Sequence, residues 1–477
     1  IRGILYIMAK ALNEVYPEAL LSVNYQLSSA MFCKIDNMEI TDEMIANVKA
    51  RMQEIINQNL EIRKVVMTKE EAEEFYSNEK TLRGIVQIDN TQKEGVSLYY
   101  CEDYFNYFFG VMPVTTAYTD VFDVIKYGDG FLVRYPSAEK PNELTNYKSN
   151  KKLLSTLEEY EDIHRVLQID TLYKLNKEIK EGRTSNVILL SEALHEKKMA
   201  NIADDIAKRK NVKMVLIAGP SSSGKTTFAK RLGVELRLNG LKPVTISVDN
   251  YFVERVDNPK DENGDYDFEC LEAIDLELFN NHIKTLLDGG TIDVPTFDFK
   301  VGTKRYNGEK MHLEDDEILV IEGIHCLNDK LTSSIPMEQK YKIYISDLTV
   351  LNIDYCNRIS TTDTRLIRRI VRDNNFRGYS ALHTLRTWAS VNRGENKNIF
   401  PYQENCDVMF NSSLIYELSV LKKQALPLLQ EITNAEPEYA EAKRLVEFLK
   451  YFEEVDEGLI PQNSLLREFV GGSIFGD

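Results

Sequence analysis

The sequence has no apolar run approaching the ~20 residues needed to span a bilayer, so no ordinary transmembrane helix is expected. It also has no excess of basic charge. The formal net charge is -17, which argues against broad nucleic-acid binding, since that rests on neutralising phosphates with Lys and Arg. A local basic site is still allowed. The six cysteines, Cys33, Cys101, Cys270, Cys326, Cys356 and Cys406, include no C-x-x-C pair. We therefore expect reduced thiols, a cytoplasmic protein and no zinc knuckle. Histidine is absent from the first 163 residues. There is no internal repeat and no signal-peptide pattern. Ile1 stands first in place of Met, which leaves open whether sequence precedes it. What is present is ordinary for a globular protein: 43% hydrophobic and 28% charged residues in a chain of 477, enough for two or three domains.

Residues 214–218 (MVLIA) form a continuous apolar run, as expected of a strand buried on both faces. Gly219-Pro220-Ser221-Ser222-Ser223-Gly224-Lys225-Thr226 follows and fits G-x-x-x-x-G-K-[ST]. The glycines let backbone N–H groups turn toward an anion. A helix opening near Lys225 adds its positive N-terminal end. In such a loop Lys225 reaches the β- and γ-phosphates and Thr226 ligates Mg²⁺. The expected ligands are ATP, held over 219–227 and so including Thr227, and Mg²⁺. A Gly/Ser-rich strand-to-helix turn would look similar. The helix-forming run TTFAKRLGVELRL that follows favours the phosphate loop.

KPVTISV reads as a second strand, with Asp249 at its C-terminal end. In open parallel sheets that end lines the ligand crevice. A carboxylate there could accept the proton of an attacking hydroxyl, or simply cap a turn. Tyr251 and Phe252 follow, suited to a flat ligand or to core packing. EILVIEGIHCL (317–327) reads as a third buried strand, and Glu322 could hold Mg²⁺ directly or through water. TRLIRRIVRDNNFRGY (364–379) puts Arg365, Arg368, Arg369 and Arg372 near one stripe of a helix, with Arg377 beyond. Such a stripe suits charge on a transferring phosphoryl group, and we read it as a lid. The alternative is a surface face paired with Asp363 and Asp373. In DVPTFDFKVGTKRY (293–306), Phe297 and Phe299 alternate around Asp298 and either stack on a base or fill a core.

Four regions are expected: an α+β unit over 1–140, a linker and helical region over 141–210, an α/β phosphate-loop domain with a parallel sheet flanked by helices over 211–432, and a helical tail over 433–477. In the first region a helix around IMAKALNEV should end before Pro17. Thr41 should cap a helix carrying Ile45, Val48, Met52 and Ile55 at helical spacing. Thr68 and Glu71 should form a capping box. VSLYYC and DGFLVRYP read as strands.

Taken in order, GPSSSGKTT, SVDNYF, the YDFECLEAID/VPTFDF pair, VIEG and RLIRRIVRD-x-x-x-RG resemble the uridine kinase and phosphoribulokinase family of phosphate-loop kinases, over about 215 residues. The resemblance implies that Asp249 activates a 5′-hydroxyl and that Glu322 and Thr226 surround Mg²⁺. It implies that Arg369, Arg372 and Arg377 close over phosphates and acceptor, and that Phe268 and Glu269 sit at the ribose. There are departures. The base-reading His of uridine kinases is missing near Gly302, the motif's Tyr is Phe297, and Tyr379 stands where the family has another Arg. The catalytic set is intact and the base-reading set is altered.

The N-terminal region resembles the editing-type second domain of threonyl-tRNA synthetases. The four metal-ligand positions of that family fall on Arg2, Tyr6, Phe108 and Met112, none of which serves as a zinc ligand. The resemblance implies a fold kept without its hydrolytic chemistry. Such a domain fused to a uridine-kinase-like domain is a bacterial arrangement, often with a small TGS domain in front, which the start at Ile1 would fit. The leading expectation is an ATP-dependent kinase acting on a nucleoside. A kinase of another small hydroxyl compound, such as a sugar phosphate, stands second. A nucleotide-dependent RNA-binding regulator stands third, with nucleic acid contacted through the N-terminal domain. The family often forms homo-oligomers, but no feature of this sequence decides that.

Overall fold

The helix Arg2–Val15 is buried on all sides from Gly3 to Leu12, Lys10 included. It packs on the helix Asp42–Asn57, which opens as its sequence predicts. The Thr41 side chain accepts the Met44 N–H at 3.1 Å, and Asp42 and Glu43 occupy the positive first turn. Ile45, Val48, Met52 and Ile55 all enter the same core as the first helix. The capping box at Thr68 and Glu71 is present in both directions and starts the helix Lys69–Ser77.

A computed structural model describes the chain apart from residues 79, 80, 82, 90–94, 138, 139, 147, 148, 261–263, 265, 299, 300 and 477. The fold divides into two units. The first comprises Ile1–Arg183, Thr349–Ser360 and Arg444–Glu453. Its described strands are β1 (Leu21–Leu27), β2 (Ala30–Ile35), β3 (Arg63–Met67), β4 (Val96–Cys101), β5 (Tyr104–Tyr107), β6 (Asp123–Tyr127) and β7 (Gly130–Arg134). They form two antiparallel sheets, β1-β2-β7-β6 and β3-β4-β5. Sheets and helices together give an α+β unit. The two late segments are stitched into it by hydrogen bonds. Asn357 Nδ2 donates to Tyr107 O at 3.1 Å and its Oδ1 accepts the Phe109 N–H at 2.8 Å. Asn176 Nδ2 donates to Tyr451 O at 2.7 Å. Of the four positions matched to a metal site, Tyr6 and Phe108 meet edge to face with centroids 5.7 Å apart. Tyr6 donates to Tyr99 O at 2.9 Å, and Met112 packs on the same core. Among the described residues no three His, Cys, Asp or Glu are grouped to hold a metal.

The second unit comprises Thr184–Leu348, Thr361–Lys443 and Glu454–Asp477. Its described strands are β8 (Met214–Ala218), β9 (Lys242–Ser247), β10 (Thr291–Asp298), β11 (Thr303–His312), β12 (Glu317–Glu322), β13 (Lys340–Ser346) and β14 (Val408–Asn411). Five of them form a parallel sheet, β14-β13-β8-β12-β9, and β10 with β11 makes an antiparallel hairpin. All five residues of β8 are buried, matching the apolar run. On one face the helices Thr184–Lys208 and Lys225–Leu238 pack over β8, β12 and β13 through residues such as Met199, Phe228, Leu232, Val215 and Ile343. Register decides where the site falls. Glu322 pairs with Ile217 on one side and Ser247 on the other, so the C-terminal ends of β8, β9 and β12 lie level. The phosphate loop, Glu322 and the residues after Ser247 therefore leave the sheet together. No helix among the described residues is long and apolar enough to cross a membrane.

Replacing Thr41 with Ala removes the cap of a core helix. We expect a loss of about 1 kcal/mol in urea unfolding, with Thr41→Ser close to wild type.

Candidate active site

The loop after β8 closes only around glycine at its first position. A Cβ on Gly219 would stand 1.9 Å from the Ile345 carbonyl oxygen of β13. Ser222 and Gly224 adopt left-handed backbone, at φ 59° and 85°. The Lys225 ammonium donates to the carbonyls of Gly219 and Pro220 at 2.9 and 3.1 Å. The hydroxyls of Ser222 and Ser223 are buried with no hydrogen-bond partner among the described residues. Thr226 is exposed at the mouth of the loop. Glycine-shaped backbone, a held ammonium, orphaned hydroxyls and a helix N-terminus fit a bound polyphosphate. Thr226 and Glu322 are oxygen donors suited to a hard cation such as Mg²⁺.

The loop is held from below by a buried network that the sequence did not announce. Glu395, on the helix Ala381–Asn398, accepts the Ser221 N–H at 2.8 Å. Its two oxygens also take Arg365 at 2.6 and 2.8 Å, and both side chains are sealed from solvent. Arg365 in turn donates to Ser221 O at 3.1 Å. Arg368 donates to Ser222 O at 3.3 Å, to Ser412 O at 2.9 Å and to Glu417 at 2.5 Å. The expected four-arginine lid is thus corrected. Arg365 and Arg368 are buried struts under the loop, because acidic partners from distant helices neutralise them there.

The remaining arginines gather on one carboxylate. Asp373 is 2% exposed and lies 3.3 Å from Arg369, 2.8 Å from Arg372 and 3.6 Å from Arg377. The helix Thr361–Arg372 runs here into a wide turn, Asp373–Arg377, ended by Gly378 at φ 70°. Three cations on one anion leave an excess of positive charge. Arg369 also donates to Ser221 Oγ at 2.9 Å, joining this cluster to the loop.

Carboxylates face these cations. Ser247 donates to Glu322 at 2.8 Å. Burial and the neighbouring Asp249 nevertheless push the Glu322 carboxyl up to about 7, against the pull of Lys225. Asp249 is open to solvent, but the crevice walls around it raise its carboxyl, opposed by Lys225 and Arg377. Glu269 is pushed up to about 7 by burial and by Glu395, with Arg369 opposing. Lys225, Arg369, Arg377 and the three carboxylates are therefore within electrostatic reach of one another.

The aromatic candidates divide. Tyr251 is buried in the core, its hydroxyl 3.1 Å from His282 Nδ1 and its ring edge-on to Phe279. Of the two roles its sequence left open, it takes core packing. Phe252 and Phe297 are also buried, centroids 5.5 Å apart. Phe252 lies 6.1 Å from Phe268, which is 36% exposed and is the ring of this group that reaches solvent. Phe299 lies outside the described residues. Gly302, where the base-reading His would fall, sits at φ 81°, and a Cβ there would meet Arg255 Nε at 2.6 Å.

Comparison with known proteins follows the same region. Residues 214–417 match the model of the phosphoribulokinase/uridine kinase family. The uridine kinase of Bacillus subtilis is 27% identical over 222 residues, covering 46% of this chain and 96% of its own. That of Ligilactobacillus salivarius is 30% identical over 187 residues, covering 39% of this chain and 78% of its own. The solved structure of a possible uridine kinase from Bacillus stearothermophilus is 19% identical, with a TM-score of 0.27, and covers 45% of this chain and all of that one.

Two outcomes follow from the charges. Glu395→Ala leaves Arg365 buried without its partner, and we expect a loss of about 3–5 kcal/mol in denaturant unfolding. The Glu322 carboxyl stands near 7 in the folded protein against an ordinary 4.5, so stability is lost as pH rises through that window. Glu322→Gln removes the cost. Without ligand it should melt above wild type at pH 8, with the margin closing toward pH 4.5.

Proposed function

Because the chain belongs, through residues 214–417, to the phosphoribulokinase/uridine kinase family, we propose that it is an ATP-dependent kinase acting on the 5′-hydroxyl of a nucleoside. The observation that carries this reading is the convergence on Asp249. Its carboxyl lies in the field of both the loop lysine, Lys225, and the arginine turn at Arg377. This supports a reading in which base, phosphate cradle and cationic clamp serve one site.

Bound Mg·ATP would supply the transferable phosphoryl group and the charge of the metal. The backbone of 219–227 would hold the phosphates, with Thr226 and Glu322 on the metal. Asp249 takes the proton of the acceptor hydroxyl as that oxygen attacks. Lys225, Arg369, Arg372 and Arg377 hold the negative charge on the transferring group, and Asp373 keeps the three guanidiniums together. Phe268 and Glu269 face the sugar of the acceptor, backed by Phe252 and Phe297. Most of the rate comes from this positioning and charge, because phosphoryl transfer asks for little covalent help from the protein.

A second reading is a kinase of another small hydroxyl compound, such as a sugar phosphate. Gly302 favours it: Arg255 occupies the space beside the position that carries the base-reading His in uridine kinases. Acceptor-dependent ADP release over uridine, cytidine, other nucleosides, sugar phosphates and tRNA separates the readings. Turnover with a pyrimidine nucleoside supports the first, and turnover with a sugar phosphate alone supports the second. Silence on every acceptor with ATP still bound would point to an RNA-linked regulator.

Asp249→Asn should keep Mg·ATP affinity and lower turnover by about 10²–10⁴. Unchanged turnover would remove Asp249 from the role of base.

A further inference from the structure

The helix Lys225–Leu238 presents first-turn N–H groups that have no partner within the helix, at its positive end. In a phosphate loop these groups face the nucleotide. One of them is already taken. The Thr227 N–H donates to Glu468 Oε2 at 3.0 Å, across 241 residues of sequence. Glu468 belongs to the short helix Arg467–Val470, close to the C-terminal end of the described chain.

The segment that carries Glu468 is firmly seated. Leu465 is buried in the core under the loop helix, among Phe228, Leu232 and Leu236. Phe469 is fully buried, and the guanidinium of Arg368 lies 5.0 Å from its ring centroid. The Phe469 carbonyl accepts from Asn375 at 3.1 Å. Further on, the Phe475 carbonyl accepts from Lys230 at 3.1 Å. Arg467 ties the segment to itself through the carbonyls of Glu457, Ile460 and Gly471. Leu465 and Phe469 face the core while Glu468, one position from Phe469, turns to the loop. The anchor and the carboxylate are thus separable. Rotation of the Glu468 side chain alone frees the Thr227 N–H, with the segment still docked.

Chemically, a carboxylate on this donor stands in for a phosphate oxygen. Both are anionic acceptors of charge-assisted N–H bonds. Its charge also reaches the rest of the site. Glu468 is among the groups that push the Glu322 carboxyl up, and it adds to the ion-paired environment of Arg368. We propose that Glu468 is a built-in competitor for the nucleotide site, occupying the Thr227 N–H until the phosphates of Mg·ATP displace it. This rests on the reading of the loop as a nucleotide site and adds its regulation. The carboxylate keeps the Thr227 N–H satisfied in the absence of nucleotide. Nucleotide affinity is then reduced by the fraction of time that Glu468 is seated.

The test is calorimetric binding of Mg·ATP and Mg·ADP to the full chain and to Glu468→Gln, Glu468→Ala and Lys225→Ala, with thermal unfolding of each. Losing one charge-assisted hydrogen bond from the competitor should lower Kd about tenfold in both Glu468 variants. The melting temperature of the ligand-free Glu468 variants should be equal to or slightly below wild type. An unchanged Kd would overturn the proposal. So would weaker binding, which would make Glu468 part of the nucleotide's own binding surface. Lys225→Ala reports on the loop reading separately. If wild type and Lys225→Ala bind nucleotide equally, the loop is not the site. If Lys225→Ala alone loses binding while the Glu468 variants match wild type, the site stands and the competitor falls.

Discussion

The pairing of Arg365 with Glu395 beneath the phosphate loop is the interaction on which the rest of the site depends. Glu395 is fully buried and serves two masters, the guanidinium of Arg365 and the backbone N–H of Ser221. A buried ion pair adds little net stability against an apolar alternative, but losing one partner is costly. Its value here is geometric. It fixes Ser221 from both its N–H and its carbonyl, and Arg369 then finds the Ser221 hydroxyl in a defined place. The helices Thr361–Arg372 and Ala381–Asn398 are thereby referenced to the loop that they serve.

Above that foundation, charges are gathered in unequal numbers. Asp373 holds three guanidiniums. Across from them the carboxyls of Glu322 and Glu269 are raised, with burial the largest cause, and that of the solvent-open Asp249 is raised by the walls around it. Neither group is balanced by itself. An excess of cations suits an anionic ligand, and carboxyls raised in this way are suited to a metal or a proton. Sites that bind charged ligands are where such local imbalance is expected, at a cost met by the surrounding fold.

Much of the scaffold could be read in advance. The phosphate loop, the strands ending near Asp249 and at Glu322, the Thr41 cap and the Thr68 box all depend on residues within a few positions of each other, so short-range rules suffice. Whatever depends on a partner far along the chain was not legible. Nothing local in the helix Ala381–Asn398 marks Glu395 as the residue that meets Arg365. Glu468 stands 241 positions from the N–H it engages. The arginine stripe illustrates the limit. Helical spacing correctly grouped four residues, but whether an arginine is a strut or a clamp depends on which acids the tertiary fold delivers to it. Tyr251 and Phe252 raise the same difficulty: their sequence context suits either a flat ligand or the core, and only the tertiary fold shows both buried.

The first unit is not continuous along the chain. It includes residues 349–360 and 444–453 as well as 1–183. Asn357 and Tyr451 are in its hydrogen-bond network. Translation therefore delivers its parts at very different times. At about 5–20 residues per second, roughly a quarter of a minute to a minute separates Arg183 from Glu453 on the ribosome. Throughout that interval the N-terminal sheets wait with their docking positions unfilled, while most of the second unit is made. The unit that holds Ile1–Arg183 is completed only after most of the second unit has been made. The nascent chain must therefore keep an unfinished β-rich surface from pairing with anything else until its own final strips arrive.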